Sequence, residues 1–242
     1  SEKEKLLKES EEEVRRLRRT LEELLRKYRE VLERLRDHMV LHEYVNAAGI
    51  TRLKEVLDRS GLDIDTIIKE VEDLLKTVLD RLRELLDKIA RLTKEAIEVV
   101  REIIERIVRH AERVKDELRK GGADKRKLDR VDRLIKENTR HLKEILDRIE
   151  DLVRRSEKKL RDIIREVRRL IEELRKKAEE IKKDPDERLV KTLIEDVERV
   201  IKRILELITR VAEDNERVLE RIIRELTDNL ERHLKIVREI VK

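Results

Sequence analysis

Apolar residues recur at steps of three and four along nearly the whole chain, which is the spacing of one face of an α-helix. Neighbouring leucines such as Leu25, Leu32, Leu74 and Leu86 widen the apolar series, so the pattern predicts helices that share a bundle core. Three of the series run through Leu7, Val14, Leu17, Leu21, Leu24, Tyr28, Val31 and Leu35; through Ile64, Ile68, Val71, Leu75, Val78, Leu82, Leu85, Ile89, Leu92 and Ala96; and through Leu193, Val197, Val200, Ile204, Ile208, Val211, Val218 and Ile222.

Three short breaks interrupt this periodicity. At the first, Gly61 suits a left-handed helix C-terminal cap and Asp63 suits the N-cap of the next helix. Residues 121–124 repeat that arrangement, and the third break predicts an N-cap at Asp184 with Pro185 in the first helical position. The predicted helices span about 2–59, 64–120, 125–183 and 185–241.

Short connections make consecutive helices run antiparallel. We therefore expect an all-α fold, an antiparallel up-down-up-down four-helix bundle whose helices are about 57–60 residues long, forming one domain over residues 1–242. Each helix would be about 85 Å long at the α-helical rise. Four such helices can bury their apolar faces within one chain, so we expect a monomer.

Charged residues make up 51% of the chain, and the 38% that are hydrophobic are nearly all Leu, Ile and Val. Helical spacing of the apolar residues argues against disorder. The net charge is +5 with both signs interleaved along the chain, and the only aromatic residues are Tyr28 and Tyr44, so no nucleic-acid partner is expected. Without cysteine, thiolate metal sites and disulfides are excluded, and no apolar run is long enough for a membrane span.

Polar residues interrupt the apolar series at His110, Asn138, Ser156, Asn215 and Asn229, with His233 as a further candidate. We interpret them as buried hydrogen-bond networks that fix helix register, rather than as a catalytic or metal site. A di-metal site in a bundle needs Glu-x-x-His pairs, and no histidine here has an acidic residue three positions before it. We expect no enzyme, catalytic residue, metal or cofactor.

Outside residues 36–51 the chain resembles computationally designed helical bundles. The resemblance rests on general features of the sequence and not on a motif, because apolar pattern, capping and helix propensity all indicate the same structure. It implies an artificial protein without a natural cellular location, soluble in the cytoplasm of a cell that expresses it.

Residues 36–51 depart from these general features. They include the only methionine, the only glycine outside the breaks, four β-branched residues and no lysine. A glycine inside a helix costs about 1 kcal/mol relative to alanine, so local preference conflicts with the flanking helical pattern. The segment reads Arg36, Asp37, His38, Met39, Val40, Leu41, His42, Glu43, Tyr44, Val45, Asn46, Ala47, Ala48, Gly49, Ile50 and Thr51.

All 16 positions of this segment, called here the embedded segment, resemble the eleventh β-strand of green fluorescent protein in its self-complementing split form. The resemblance implies a partner, the large fragment with strands one to ten, which carries the chromophore-forming tripeptide. It also implies that Glu43 would lie beside the chromophore. Residues 36–51 would be the partner-binding residues.

Continuing the heptads of the first helix places His42 and Gly49 on the apolar seam, with His38, Val45 and Arg52 on the companion row. The hypothesis is therefore a caged reporter or switch that holds the strand as a helix and releases it to the large fragment. The alternative is a structural or assembly bundle with a passive peptide tag. We interpret His38 and His42 first as residues that belong to the strand sequence and have no further role. The alternatives are a pH trigger and, with no third ligand evident, a helical metal pair.

Overall fold

The structure is a computed structural model that describes residues 1–60 and 64–241, except for the side chains of residues 38–46, 56, 57, 60, 64 and 82. Within that part of the chain it is all-α, with four helices and no strand. The helices are α1 (Glu2–Ser60), α2 (Ile64–Lys120), α3 (Lys125–Lys183) and α4 (Glu187–Val241). The all-α class predicted from periodicity is confirmed.

The connection between α2 and α3 is closed by hydrogen bonds of a Schellman motif. The backbone N–H of Gly122 donates to the carbonyl of Arg119 at 3.2 Å, and that of Ala123 donates to Leu118 at 3.1 Å. Gly122 has a φ of 78°, the left-handed conformation that this motif requires. The Asp124 carboxylate then accepts a hydrogen bond from the Lys127 N–H at 2.8 Å, which confirms a capped start for α3.

The predicted N-cap of α4 at Asp184 is wrong. The N–H of Asp184 still donates to the carbonyl of Glu180 at 3.2 Å, so this residue belongs to the end of α3. Asp186 caps α4 instead, because its carboxylate accepts from the Arg188 N–H at 3.0 Å. The helix consequently begins at Glu187, two residues after the predicted start. The predicted cap residues Gly61 and Asp63 lie outside the described residues.

The chain divides into two compact units, and each contains a piece of all four helices. Unit 1 comprises residues 1–30, 92–154 and 215–242, and unit 2 comprises residues 31–91 and 155–214. The single domain over 1–242 stays a prediction.

In unit 1 the start of α1 lies beside the ends of α2 and α4. Arg113 of α2 pairs with Glu9 at 3.1 Å, and Arg238 of α4 pairs with Glu11 at 3.3 Å. Lys115 near the end of α2 pairs with Asp132 near the start of α3. These are the contacts that antiparallel neighbours make.

Most of the predicted seam is buried in its own unit, but its course on α4 differs from the prediction at one place. Val218 is 37% exposed, whereas Asn215 and Leu219 are each 3% exposed. The buried row on α4 therefore passes from Val211 through Asn215 to Leu219 in steps of four. In a straight α-helix, the directions of two residues seven positions apart differ by about 20°. A prediction that continues strictly in steps of seven therefore moves away from the buried face along the helix.

Candidate complementation segment and buried polar clusters

The embedded segment is helical throughout in its backbone, because α1 continues from Glu2 to Ser60 without a break. It belongs to unit 2. The side chains of His38, Met39, Val40, Leu41, His42, Glu43, Tyr44, Val45 and Asn46 lie outside the described residues, so the predictions for the two histidines and for Glu43 stay predictions.

The C-terminal part of the embedded segment packs through Ile50, which is 4% exposed, and the next buried residue is Leu53, which is 1% exposed. Ala47, Ala48 and Thr51 are exposed, and the Thr51 hydroxyl donates to the carbonyl of Ala47 at 2.9 Å. Toward the other end, Arg36 is half-buried and Asp37 is exposed.

The predicted seam position of Arg52 is wrong. Arg52 is exposed and lies 3.9 Å from Glu70 of α2, while Leu53 takes the buried place. Leu53 follows Leu35 by five full turns of a straight helix, so both residues lie on one face. Gly49, which was predicted on the seam, is half-buried, and a Cβ added there would lie 3.2 Å from the Leu74 Cδ1 atom. The glycine thus lets a leucine of α2 approach the α1 backbone.

In unit 1, His110 of α2 and His233 of α4 form a hydrogen-bonded pair, called here the His pair. The Nδ1 atom of His110 lies 3.1 Å from the Nε2 atom of His233, and the rings meet edge to face at 78° with centroids 5.3 Å apart. Burial, and to a smaller extent the nearby His110, lowers the pKa of His233 to about 4. Burial also lowers the pKa of His110, although the carboxylates of Glu13 and Glu9 act in the opposite direction and raise it. Both rings are therefore neutral at pH 7, and the hydrogen bond between them requires that one of the two facing nitrogens carry no proton.

Asn138 and Asn229 meet between α3 and α4 with His141 beside them, and these three residues are called here the asparagine cluster. The Asn229 side-chain amide donates to the side-chain oxygen Oδ1 of Asn138 at 2.7 Å, and the same amide nitrogen lies 3.3 Å from the Nδ1 atom of His141. Asn138 is 8% exposed and Asn229 is 2% exposed. The two asparagines, which were predicted to belong to a buried network, are thus buried and hydrogen-bonded to each other.

Asn215 reaches from α4 to α2, where its side-chain amide donates to the Thr93 hydroxyl at 3.4 Å. Thr93 also lies beside the buried Tyr28 of α1. Burial raises the pKa of the Tyr28 hydroxyl, and Thr93 opposes that increase. Ser156, the remaining predicted member of the polar set, is buried in unit 2 with 4% exposure.

Sequence reasoning missed the partners of these residues. Thr93 and His141 were absent from the predicted set, as was Ser10, whose buried hydroxyl donates to the Leu6 carbonyl at 2.8 Å. A signal existed for two of them: Ser10 continues the buried row between Leu6 and Val14, and Thr93 follows Ile89 by four residues.

The described side chains form hydrogen-bonded pairs, ion pairs and packed apolar cores. No group of three or more His, Cys, Asp or Glu side chains in that part of the chain is placed to hold a metal ion. Among the described helices, none has a stretch of apolar residues sufficient to cross a membrane. The chain matches no protein-family model, no curated protein and no solved structure.

Proposed function

We propose that the protein is an artificial caged reporter: the bundle holds residues 36–51 as part of a helix and releases them to the large fragment of split green fluorescent protein. The observation that supports the proposal is the position of the embedded segment. A sequence that resembles a β-strand at all 16 positions runs inside the uninterrupted helix α1.

The two structures of the embedded segment exclude each other. As a helix, 16 residues span about 24 Å, and as a strand they span roughly 50 Å. A strand in a barrel also turns alternate side chains to opposite faces, whereas the helix turns Gly49 and Ile50 toward the interior of unit 2. Complementation therefore requires this part of α1 to leave its neighbours.

Buried residues on both sides hold the embedded segment in place. Leu32 and Leu35 precede it with 1% and 3% exposure, and Ile50 and Leu53 hold its C-terminal end with 4% and 1% exposure. Burying one such side chain is worth about 1.5–3 kcal/mol, so exposing the latter two costs about 3–6 kcal/mol. The apparent affinity for the large fragment falls by the fraction of open molecules, here a factor of about 10² to 10⁴.

A substitution outside the embedded segment tests caging without altering the strand itself. Leu53→Ala removes a buried side chain of α1 and costs about 2–5 kcal/mol. Lys54→Ala is the matched control, because Lys54 is exposed on the same helix. The three proteins and a free peptide of residues 36–51 are mixed with the large fragment, and the initial rate of fluorescence gain is recorded.

We expect the native protein and the Lys54→Ala variant to react at equal, low rates, and the Leu53→Ala variant to react at least about thirtyfold faster. The free peptide sets the upper limit. If the native protein reacts as fast as the free peptide, the embedded segment is a passive tag on a structural bundle and the caging proposal is wrong.

A further inference from the structure

Within unit 2, helix α3 carries a line of exposed cations, called here the basic stripe. Successive members are three, four and three residues apart, which places them in a sector of about 80° over about 15 Å of helix. Glu157 and Glu172 lie at its two ends. The basic stripe consists of Lys158, Arg161, Arg165 and Arg168.

These four cations outnumber the one exposed acid that lies next to them within the row, Asp162. Three carboxylates near the basic stripe are engaged by other cations. None of the four members forms an ion pair with a described residue, and no further interaction involves them there. The neighbouring pairs are Arg169 with Glu173 at 3.0 Å, Lys159 with Asp214 at 3.4 Å, and Arg203 with Glu166 at 3.8 Å.

We propose that the basic stripe binds the phosphate backbone of duplex nucleic acid without reading its sequence. Charges of the two signs alternate along the chain, which argues against such a partner when the sequence is read as a string. The helix changes this, because positions 158, 161, 165 and 168 come to one face while Glu166 turns aside and Asp162 lies at the edge of that face. A straight row of unpaired cations is complementary to the regular row of phosphates on a duplex strand.

The surroundings of the basic stripe favour a phosphate backbone over a lipid surface. A helix that lies in a membrane inserts its apolar face between the lipids. In this stretch of α3 the apolar residues Leu160, Ile163 and Val167 are buried, with at most 8% exposure. The four members are all lysine or arginine, so they supply phosphate contacts and no aromatic side chain that could stack on bases.

The test is binding of the intact protein to a fluorescein-labelled 20-base-pair DNA duplex, followed by anisotropy at 20 to 80 mM salt. If all four cations contact phosphates, affinity falls by about a hundredfold over this fourfold change in salt. The stripe variant combines Lys158→Gln, Arg161→Gln, Arg165→Gln and Arg168→Gln. We expect it to bind at least about tenfold more weakly at 20 mM salt and to lose most of the salt dependence.

The matched control removes the same number of lysines and arginines from exposed positions that already have a carboxylate partner within their own helix. It should bind DNA within about threefold of the native protein. Circular dichroism of each variant verifies that the helices are intact. The control combines Arg18→Gln, Arg106→Gln, Lys191→Gln and Arg224→Gln, whose partners are Glu22, Glu102, Glu187 and Glu220.

Equal weakening of the two variants would mean that net charge alone attracts the duplex, and the proposal would be wrong. No binding of the native protein at 20 mM salt would also overturn it. A third arm uses vesicles containing phosphatidylserine: binding to these vesicles, without binding to the duplex, would assign the surface to membranes instead.

Discussion

Lowering the pH from 7 to 5 should destabilise unit 1 through the His pair. Burial lowers the pKa of His233 to about 4 in the folded protein, whereas a histidine in an unfolded chain titrates near 6.5. The unfolded chain therefore takes up a proton first as the pH falls. The stability that depends on neutral His233 is complete above about pH 6.5 and is lost progressively between about pH 6.5 and 4.

The size of this effect follows from the two pKa values. A difference of about 2.5 corresponds to about 3 kcal/mol once titration is complete, and about 2 kcal/mol of this is lost by pH 5. His110 changes stability in the same direction, because burial lowers its pKa as well. Protonating both rings would also place two positive charges at nitrogens that are 3.1 Å apart.

Guanidinium unfolding followed by circular dichroism at pH 7, 6 and 5 measures the loss. This range lies above the ordinary pKa of aspartate and glutamate, so histidines dominate the change. The control is the double variant His110→Leu and His233→Leu, which keeps the other three histidines of the chain. We expect its free energy of unfolding to change by about 2 kcal/mol less than that of the native protein between pH 7 and 5. Equal changes in both proteins would refute the assignment.

Three further substitutions have definite expected outcomes. Asn229→Leu leaves the side-chain oxygen of Asn138 without its donor and should lower the free energy of unfolding in guanidinium by about 1–3 kcal/mol. Changing both asparagines to leucine should lower it much less. Gly122→Ala places a side chain at a φ of 78° and should cost about 1 kcal/mol, whereas Gly121→Ala should be close to neutral in the same measurement. Gly49→Ala should stabilise helix α1 by up to about 1 kcal/mol, because alanine has the higher helix propensity, although the Leu74 side chain must shift slightly to make room. Complementation should therefore be up to about fivefold slower, relative to a free peptide with the same change.

The sequence was sufficient for the number, type and approximate bounds of the helices in the described chain. Long runs of strong helix formers with apolar spacing of 3.6 have one stable local structure, and only glycine, proline and capping residues interrupt them. The start of α4 was misplaced by two residues because two aspartates, Asp184 and Asp186, are equally suited to capping. Only the hydrogen bond of Asp184 back into α3 distinguishes them.

The sequence also located the polar positions inside the apolar series, because a polar residue at a seam position is visible in a single string. What it did not contain was their partners: the contacts of Asn229 with Asn138 and of His110 with His233 join residues that are 91 and 123 positions apart. Relative rotation and axial stagger of two helices decide such contacts, and both arise from packing of the whole interface.

The embedded segment shows the same division between local and tertiary information. Its 16 residues by themselves specify a resemblance to a strand, and β-branched residues with an internal glycine favour that structure locally. The helix observed there is imposed by tertiary structure, because flanking residues such as Leu35 and Leu53 bury their side chains only when α1 continues between them. Local preference is worth a few tenths of a kcal/mol per residue, and burial of each large apolar side chain is worth several times more.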